Sequence, residues 1–228
     1  GGYEPMMLRR YAEFMNGAHG RPPGQSLQLV AGVAPGPLMD LLGARIWLSW
    51  GEGPPDPAWP LRGRAGSAAI YENPGAMARA WLVDHAVVID TAEERLKVMT
   101  GGAFDPRRTV ILETTPSGAP PTPGTGSPGA VALVSKAPGE YHLKTDAPKE
   151  TWLVLAEAWY PGWRAEIDGA PAEVVPADHL IQAVRLPAGR HEVRMFYRSR
   201  FLRPGFLVTI LVAAGVVLVG RRRRQPAL

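Results

Sequence analysis

The sequence contains no cysteine, and its 228 residues carry little net charge outside one short run. Without cysteine the chain forms neither disulfides nor thiolate metal sites, and redox chemistry gives no indication of its compartment. The formal net charge of +4 equals the charge of four adjacent arginines, Arg221, Arg222, Arg223 and Arg224. The remainder is therefore nearly neutral, which argues against nucleic acid as a partner.

Metal-binding and catalytic motifs are also lacking. The five histidines are dispersed without ligand spacing: His19, His85, His142, His179 and His191. The glycine-rich stretch precedes no helix start, so it is not a phosphate loop, and no serine has a nucleophile-elbow context. We therefore predict no metal ion, no cofactor and no catalytic residue in this chain.

Four carboxylates near the C-terminal strands leave one alternative open. Glu157, Glu166, Asp168 and Asp178 could supply an acid/base pair. Carboxylates at turns and strand edges are more often solvated or capping. We therefore assign them no catalytic role.

One long apolar run stands out. Residues 204–220 are 17 residues without a charge, and about 17 to 20 apolar residues span a bilayer core. Phe201 and Leu202 extend the run, with Arg203 able to reach the interface. A buried helix or core strand is the alternative, but the four arginines that follow are typical of a stop-transfer flank. The pattern predicts a transmembrane helix at 201–220 and a cytoplasmic basic tail at 221–228.

The orientation of this helix depends on its flanks. Arg194, Arg198, Arg200 and Arg203 precede it, so a count of basic residues gives no clear asymmetry. The contiguous run lies nearer the helix, which favours a cytoplasmic C-terminus and residues 1–200 outside. The N-terminus has no signal sequence. Either the topology is reversed, or earlier membrane helices of a longer protein are missing here.

The first half of the chain has mixed helix and strand patterning. Apolar residues at helical spacing predict a helix near 7–15, and a second short helix is predicted at 37–42. Strand, helix and strand are predicted at 79–90, 91–99 and 109–113. Thr91, with Glu94 three residues later, forms a capping-box pattern at the start of that helix. The predicted unit is a small α/β subdomain at 1–113.

The second half is predicted to be all-β. Residues 114–129 form a linker rich in proline, glycine, serine and threonine. About seven short candidate strands follow in residues 130–200, among them Trp163–Ile167 and Ile181–Leu186. Asp168-Gly169 is a strong two-residue hairpin signal. The predicted class is α+β: a small α/β subdomain, an antiparallel β-sandwich and one C-terminal transmembrane helix.

An ordered set of short motifs resembles the C-terminal extracytoplasmic region of YfhO-like bacterial membrane proteins. The C-terminal motifs are residues 160–163 (YPGW), 168–169 (DG) and 186–189 (LPAG), before a strand that leads to a terminal helix. Earlier segments agree in order: residues 2–5 (GYEP), 10–11 (RY), 41–45 (LLGAR), 71–74 (YENP) and 80–83 (AWLV).

The resemblance implies a place in a polytopic glycosyltransferase of the GT-C type. Such enzymes take sugars from polyprenyl-phosphate donors and transfer them to envelope acceptors outside the cytoplasm. Their catalytic acidic residue lies in an early loop among N-terminal membrane helices, which this chain does not contain. The implied partners are the bilayer, those missing helices, a polyprenyl-linked sugar and an envelope glycan. The fragment itself is expected to be inactive.

Two residue groups are candidates for contacts. Trp159, Tyr160 and Trp163 could stack on sugar faces or lie at the level of lipid headgroups, although packing in the sandwich core is the more common role of such rings. The membrane-interface candidates are arginines on both flanks of the helix: Arg194, Arg198, Arg200, Arg203, Arg221, Arg222, Arg223 and Arg224. A stand-alone carbohydrate-binding module and a structural envelope protein remain alternatives.

Overall fold

The fold was obtained as a computed structural model, which describes residues 9–18, 36–51, 53–114, 127–199, 209, 210 and 212. The helices are α1 (Arg9–Ala18), α2 (Pro37–Leu41) and α3 (Ala92–Thr100). The strands are β1 (Ile46–Ser49), β2 (Leu61–Ala65), β3 (Ala68–Glu72), β4 (Ala80–Val83), β5 (His85–Val88), β6 (Thr109–Leu112), β7 (Ala130–Ala137), β8 (Glu140–Ala147), β9 (Thr151–Leu155), β10 (Trp163–Ile167), β11 (Ala170–Ala172), β12 (Val174–Ala177), β13 (Ile181–Leu186) and β14 (Gly189–Tyr197).

Two sheets form the main body of the protein. One has five strands in the order β11-β10-β14-β8-β7, and the other has six in the order β4-β9-β13-β12-β6-β5. Every pair is antiparallel except β5 and β6, which are parallel. The described fold is therefore mostly β with antiparallel sheets, as predicted.

The six-stranded sheet is covered on both faces. Its residues Leu153 and Val184 pack with Leu143 and Met195 of the five-stranded sheet to form the sandwich interior. Neighbouring residues such as Trp152, Val154 and Ala183 point to the opposite face, where they pack against Phe14 of α1, Leu41 of α2 and Met99 of α3. Because alternate residues of a strand face opposite sides, a strand buried on both faces reads as a continuous apolar run, as residues 152–155 of β9 do.

The predicted strand–helix–strand unit is present in part. The single strand predicted at 79–90 is two strands, β4 and β5, which lie at opposite edges of the six-stranded sheet. Strands β5 and β6 pair in parallel through α3, as a βαβ unit requires. Thr91 is the N-cap of α3, and its hydroxyl accepts a hydrogen bond from the Glu94 backbone N–H at 3.3 Å. The predicted helix, its N-cap and the strand that follows it are therefore confirmed, whereas the single strand at 79–90 is wrong.

The predicted Asp168-Gly169 hairpin is also confirmed. It joins β10 to β11, with Ile167 opposite Ala170. Asp168 and Gly169 have φ values of 51° and 81°. Two consecutive positive φ values are what a type I′ turn requires, and Asp and Gly are among the residues that tolerate them.

The sheets do not follow the predicted division at residues 114–129. Strands β4, β5 and β6 precede that segment, yet they lie in one sheet with β9, β12 and β13. A third, smaller sheet has the order β1-β3-β2 and was not predicted. Strand pairing between distant segments leaves no local sequence pattern, so the shared sheet could not be predicted from the sequence.

Within the described ranges, no helix has both the length and the hydropathy needed to cross a bilayer. The predicted transmembrane segment, 201–220, falls almost wholly outside those ranges. Only Thr209, Ile210 and Val212 of that segment are described, and their backbone is helical. The tail at 221–228 lies outside the described residues.

Candidate functional site

Four aromatic rings cluster at one end of the sandwich, which we call the aromatic end: Tyr141, Tyr160, Trp163 and Tyr197. Trp163 lies opposite Tyr197 in the β10–β14 pair. The ring centroids of Trp163 and Tyr197 are 6.0 Å apart, those of Tyr160 and Tyr197 6.2 Å, and those of Tyr141 and Trp163 6.1 Å. These separations are typical of edge and tilted aromatic contacts.

The aromatic end is partly open to solvent. Tyr160 is 46% exposed and Tyr197 37% exposed, whereas Trp163 is half-buried against the sandwich interior and Tyr141 is fully buried. The cluster thus has a packed base and two accessible rings. Trp163 packs against the sandwich interior and also contacts the ring of the exposed Tyr197.

Gly162 makes this arrangement possible. Its φ is +127°, and its carbonyl accepts a hydrogen bond from the Arg198 backbone N–H at 2.9 Å. A Cβ at this position would lie 2.7 Å from the Arg198 carbonyl oxygen and 2.8 Å from the Tyr197 ring. Only glycine therefore lets the turn before β10 approach the end of β14 so closely.

Tyr141 joins the rings to the neighbouring sheet. Its hydroxyl donates a hydrogen bond to the Glu157 carboxylate, which lies just beyond β9. Burial, followed by the interaction with Glu157, raises the pKa of Tyr141 well above its usual range. The phenol therefore stays protonated and holds the two sheets together at this end.

Trp159 is separated from this cluster. The described ring contacts of the aromatic end do not include it. Its ring instead lies under the Arg10 guanidinium of α1, 4.8 Å from the ring centroid. Its backbone N–H donates to the Leu180 carbonyl at 2.8 Å. The three sequence candidates thus divide into Tyr160 and Trp163 on one side and Trp159 on the other.

The candidate arginines also differ from one another. Arg194 lies on the outer face of the five-stranded sheet, 2.7 Å from Glu140 and 3.4 Å from Glu166. It lowers the pKa of Glu140 through their hydrogen bond. Arg198 is exposed and stacks on the Phe196 ring at 5.1 Å, beside the aromatic end. Arg200, Arg203 and the four arginines from Arg221 to Arg224 lie outside the described residues.

The outer face of the five-stranded sheet has a cleft of about 600 Å³ that was not predicted. His142, Lys144, Glu166 and Arg194 are among the residues that line it. Charges of opposite sign neutralise one another here: Lys144 lies 3.2 Å from Glu192, in addition to the contacts of Arg194. The face is polar but carries no strong field of one sign.

Asp168 and His191 form an acid–histidine contact at the far end of this sheet. The Asp168 carboxylate lies 2.6 Å from His191 Nδ1 and accepts a hydrogen bond from the Glu192 backbone N–H at 2.8 Å. The interaction raises the pKa of His191 and lowers the pKa of Asp168. Three of the four carboxylates considered for acid/base chemistry thus contact another side chain: Glu157 contacts Tyr141, Glu166 contacts Arg194 and Asp168 contacts His191.

A buried ionic cluster lies between the helices and the six-stranded sheet. Glu113 contacts the guanidinium groups of Arg10 and Arg95, the latter at 3.2 Å. Glu13 of α1 lies 3.1 Å from His179 Nε2. Burial, and then the nearby Arg95, lower the pKa of His179, so the imidazole is neutral near pH 7. These contacts join α1 and α3 to the turn between β12 and β13.

Asp178, next to His179, is the most perturbed carboxyl of this region. It is fully buried, and its Oδ1 accepts a hydrogen bond from the Ile111 backbone N–H at 2.8 Å. Burial raises the pKa of Asp178 to about 7. Asp178 and His179 both have positive φ values, 44° and 61°, which are uncommon for residues other than glycine.

No role was predicted for Tyr141 and Tyr197 of the aromatic end, or for the ionic cluster. Tyr197 and Tyr141 follow the period-two pattern of their strands, with Val193 and Met195 before Tyr197, and this pattern could have placed them on the inner face. The ionic cluster has no such signal, because its members come from distant parts of the chain. Among the described residues, no group of three or more potential ligands could hold a metal ion.

Comparisons with known proteins found no relative. No family model, no curated protein and no solved structure matches the chain.

Proposed function

We propose that this chain is the extracytoplasmic C-terminal portion of a YfhO-like integral membrane protein. In this proposal residues 201–220 cross the bilayer, residues 1–200 lie outside and residues 221–228 are cytoplasmic. The sandwich is accessory to the transfer of sugars from polyprenyl-phosphate donors to envelope acceptors. It is not catalytic by itself, because the resemblance assigns the catalytic loop and donor site to N-terminal membrane helices outside this chain.

The observation that carries the proposal is the position of the aromatic end. Strand β14 finishes at Tyr197, shortly before the apolar segment, so the predicted membrane helix and the aromatic end share one end of the sandwich. Tyr160 and Tyr197 are exposed there, and both Tyr160 and Trp163 contact the ring of Tyr197. Tyr and Trp favour the headgroup level of a bilayer, where the ring is in apolar surroundings and the polar tip is in water.

The charges at this end support the same orientation. Arg198 is exposed beside the aromatic end, and its side chain has room to reach a phosphate headgroup. Arg194 is held by Glu140 and Glu166 and therefore stabilises the sheet instead. Of the two described arginine candidates, Arg198 is the one we assign to the interface.

Depth-dependent fluorescence quenching tests the proposal. Because the chain has no cysteine, one introduced cysteine gives one label. Pro161→Cys places a fluorophore beside Tyr160, and Ala170→Cys is the matched control in an exposed turn at the other end of β10. Strand β10 separates the two sites by about 13 Å at about 3.3 Å per residue.

The expected result with the full chain in vesicles is strong quenching by lipids brominated near the headgroup at position 161 and little at 170. Tyr160→Ser should reduce the quenching at 161, because it removes an interfacial ring. Equal quenching at both positions, or none at either, would overturn the proposed orientation.

Contact with a sugar acceptor is a second candidate role, favoured by the exposure of Tyr160. An exposed ring that stacks on a sugar can be removed without unfolding the domain, whereas truncation of a core ring costs about 3–5 kcal/mol. We expect Tyr160→Ala in the full-length parent protein to lower sugar transfer at unchanged stability. Trp163→Ala, whose ring packs on the sandwich interior, should lower stability as well. Unchanged transfer by Tyr160→Ala would remove this role.

A further inference from the structure

One face of the small three-stranded sheet exposes large apolar side chains. Ile46 and Leu48 of β1 and Trp50, just beyond the end of β1, recur at every second residue and are 56%, 47% and 70% exposed. Ser49, between Leu48 and Trp50, is buried, and so is Ala69, which lies opposite Ser49 on β3. A sheet with one solvated face normally turns its polar side chains outward, so apolar side chains at these exposed positions are unusual.

The half-buried Ile70 lies on the same face of the sheet as the exposed side chains of β1. Leu48 lies opposite Ile70 on the central strand β3, and residues that face each other across a strand pair share a face of the sheet. We call Ile46, Leu48, Trp50 and Ile70 the apolar row. Contiguous exposed apolar surface with a polar rim commonly marks an interaction site with a protein or a membrane.

The rim of the apolar row is cationic. Arg62 and Arg45 both lie near Glu72, at 2.6 Å and 3.9 Å, so two guanidinium groups share one carboxylate. More than half of each arginine side chain is exposed. The excess positive charge beside exposed Trp and aliphatic side chains matches an anionic lipid surface, which attracts arginine and accepts apolar side chains at its boundary.

The small sheet is connected to the aromatic end. After β3 the chain reaches Arg79, whose carbonyl accepts a hydrogen bond from the Ala156 N–H at 2.8 Å. Glu157, the next residue after Ala156, accepts the hydrogen bond of Tyr141, whose ring contacts Trp163. The segment that follows the small sheet therefore enters the body at the end that we assign to the bilayer.

We propose that the apolar row is a second lipid-contacting surface, which lies on an anionic leaflet beside the membrane helix. This inference rests on the proposed membrane orientation and extends it: the protein contacts the bilayer at two places, the aromatic end and the apolar row. Two contacts fix the rotation of the sandwich about the helix axis, which one contact cannot do.

The test uses single cysteines in the full chain, reconstituted in phosphatidylcholine vesicles with or without phosphatidylglycerol. Leu48→Cys carries the fluorophore within the apolar row. Ala170→Cys is again the control, because Ala170 is exposed at the end of β10 that lies opposite the aromatic end. Quenching by brominated lipid is measured for both labels and, in parallel, for the label at Pro161→Cys.

The expected result is quenching at 48 and little at 170, with more quenching at 48 in vesicles that contain phosphatidylglycerol. Replacing both neighbours, as Ile46→Asn with Trp50→Asn, should abolish the quenching at 48, and Arg62→Gln should remove the gain from the anionic lipid. These positions are exposed, so the changes leave the core packing intact.

The labels at 161 and 48 separate the proposed membrane orientation from the proposed contact of the apolar row with lipid. If the label at 161 is quenched and the label at 48 is not, the apolar row does not contact lipid and the membrane orientation stands. If neither is quenched, both are overturned. If the label at 48 is not quenched and the unlabelled Leu48→Cys chain forms a disulfide-linked dimer under oxidising conditions, the row is a protein interface and the inference is wrong.

Discussion

Replacement of Asp178 by asparagine gives a direct test of the buried polar turn. Asp178 accepts the Ile111 N–H through Oδ1, and its own N–H donates to the Ile111 carbonyl at 2.8 Å. Its other oxygen, Oδ2, is buried without a hydrogen-bond partner among the described residues. Asparagine keeps the acceptor and the shape, tolerates the positive φ of this position and cannot ionise.

The expected change in folding free energy follows from the raised pKa of Asp178. Burial raises the pKa of Asp178 from 3.8 to about 7. A carboxyl with a raised folded-state pKa contributes its full stability below pH 3.8, and this contribution is lost as the pH rises through about 7. At about 1.4 kcal/mol for each pKa unit, ionisation of Asp178 costs about 4 kcal/mol of folding free energy above that range. Asp178→Asn should therefore be more stable than the parent chain by up to about 4 kcal/mol near pH 8, with little difference near pH 4.

Chemical denaturation of the purified chain in mild detergent, followed by tryptophan fluorescence, measures this difference at each pH. The titration of His179 is common to both proteins and largely cancels in the comparison. Asp168→Asn is the matched control, because His191 lowers the pKa of Asp168 and its contribution is lost as the pH falls. A variant at Asp178 that is less stable than the parent throughout this range would refute the reasoning.

Three further substitutions test the fold. Gly169→Val should cost roughly 1–3 kcal/mol of unfolding free energy, because its φ is +81° although space is open around it, and Gly169→Asn should cost less. Leu153→Ala, in the sandwich interior, should cost about 2–5 kcal/mol, whereas Leu133→Ala, which is 43% exposed, should cost much less; equal denaturation midpoints would contradict the assigned interior. Gly162→Ala should disturb the aromatic end and change the near-ultraviolet circular dichroism of its rings, because the new Cβ meets the Tyr197 ring at 2.8 Å; an unchanged spectrum would exclude that close approach.

Local signals predicted local structure well. Strands Trp163–Ile167 and Ile181–Leu186 were predicted with the bounds that the structure has, because turn residues or a clear pattern bracket each of them. The cap at Thr91 and the turn at Asp168-Gly169 depend on neighbouring residues alone, and both are present. In these cases the residues that determine the structure lie close together in the sequence.

Structure that depends on distant partners was not predicted. Strands β2 and β3 contain glycine, small residues and arginine without clear alternation, so their sheet had no sequence signal. The ionic cluster combines Glu13, Arg95 and Glu113 with His179, which only the folded chain brings together. Of the aromatic candidates, the sequence placed Trp159 with Tyr160 because they are adjacent, but their side chains have different neighbours.

The membrane orientation is the central claim, and cysteine accessibility tests it most directly. In intact cells that express the full-length protein, Ser127→Cys marks the region assigned to the outside and Gln225→Cys marks the assigned cytoplasmic tail. Ser127 is exposed, so a reagent can reach it in the folded protein. We expect a membrane-impermeant maleimide to label position 127 at once and position 225 only after permeabilisation. Labelling of position 225 alone in intact cells would reverse the topology and contradict the account.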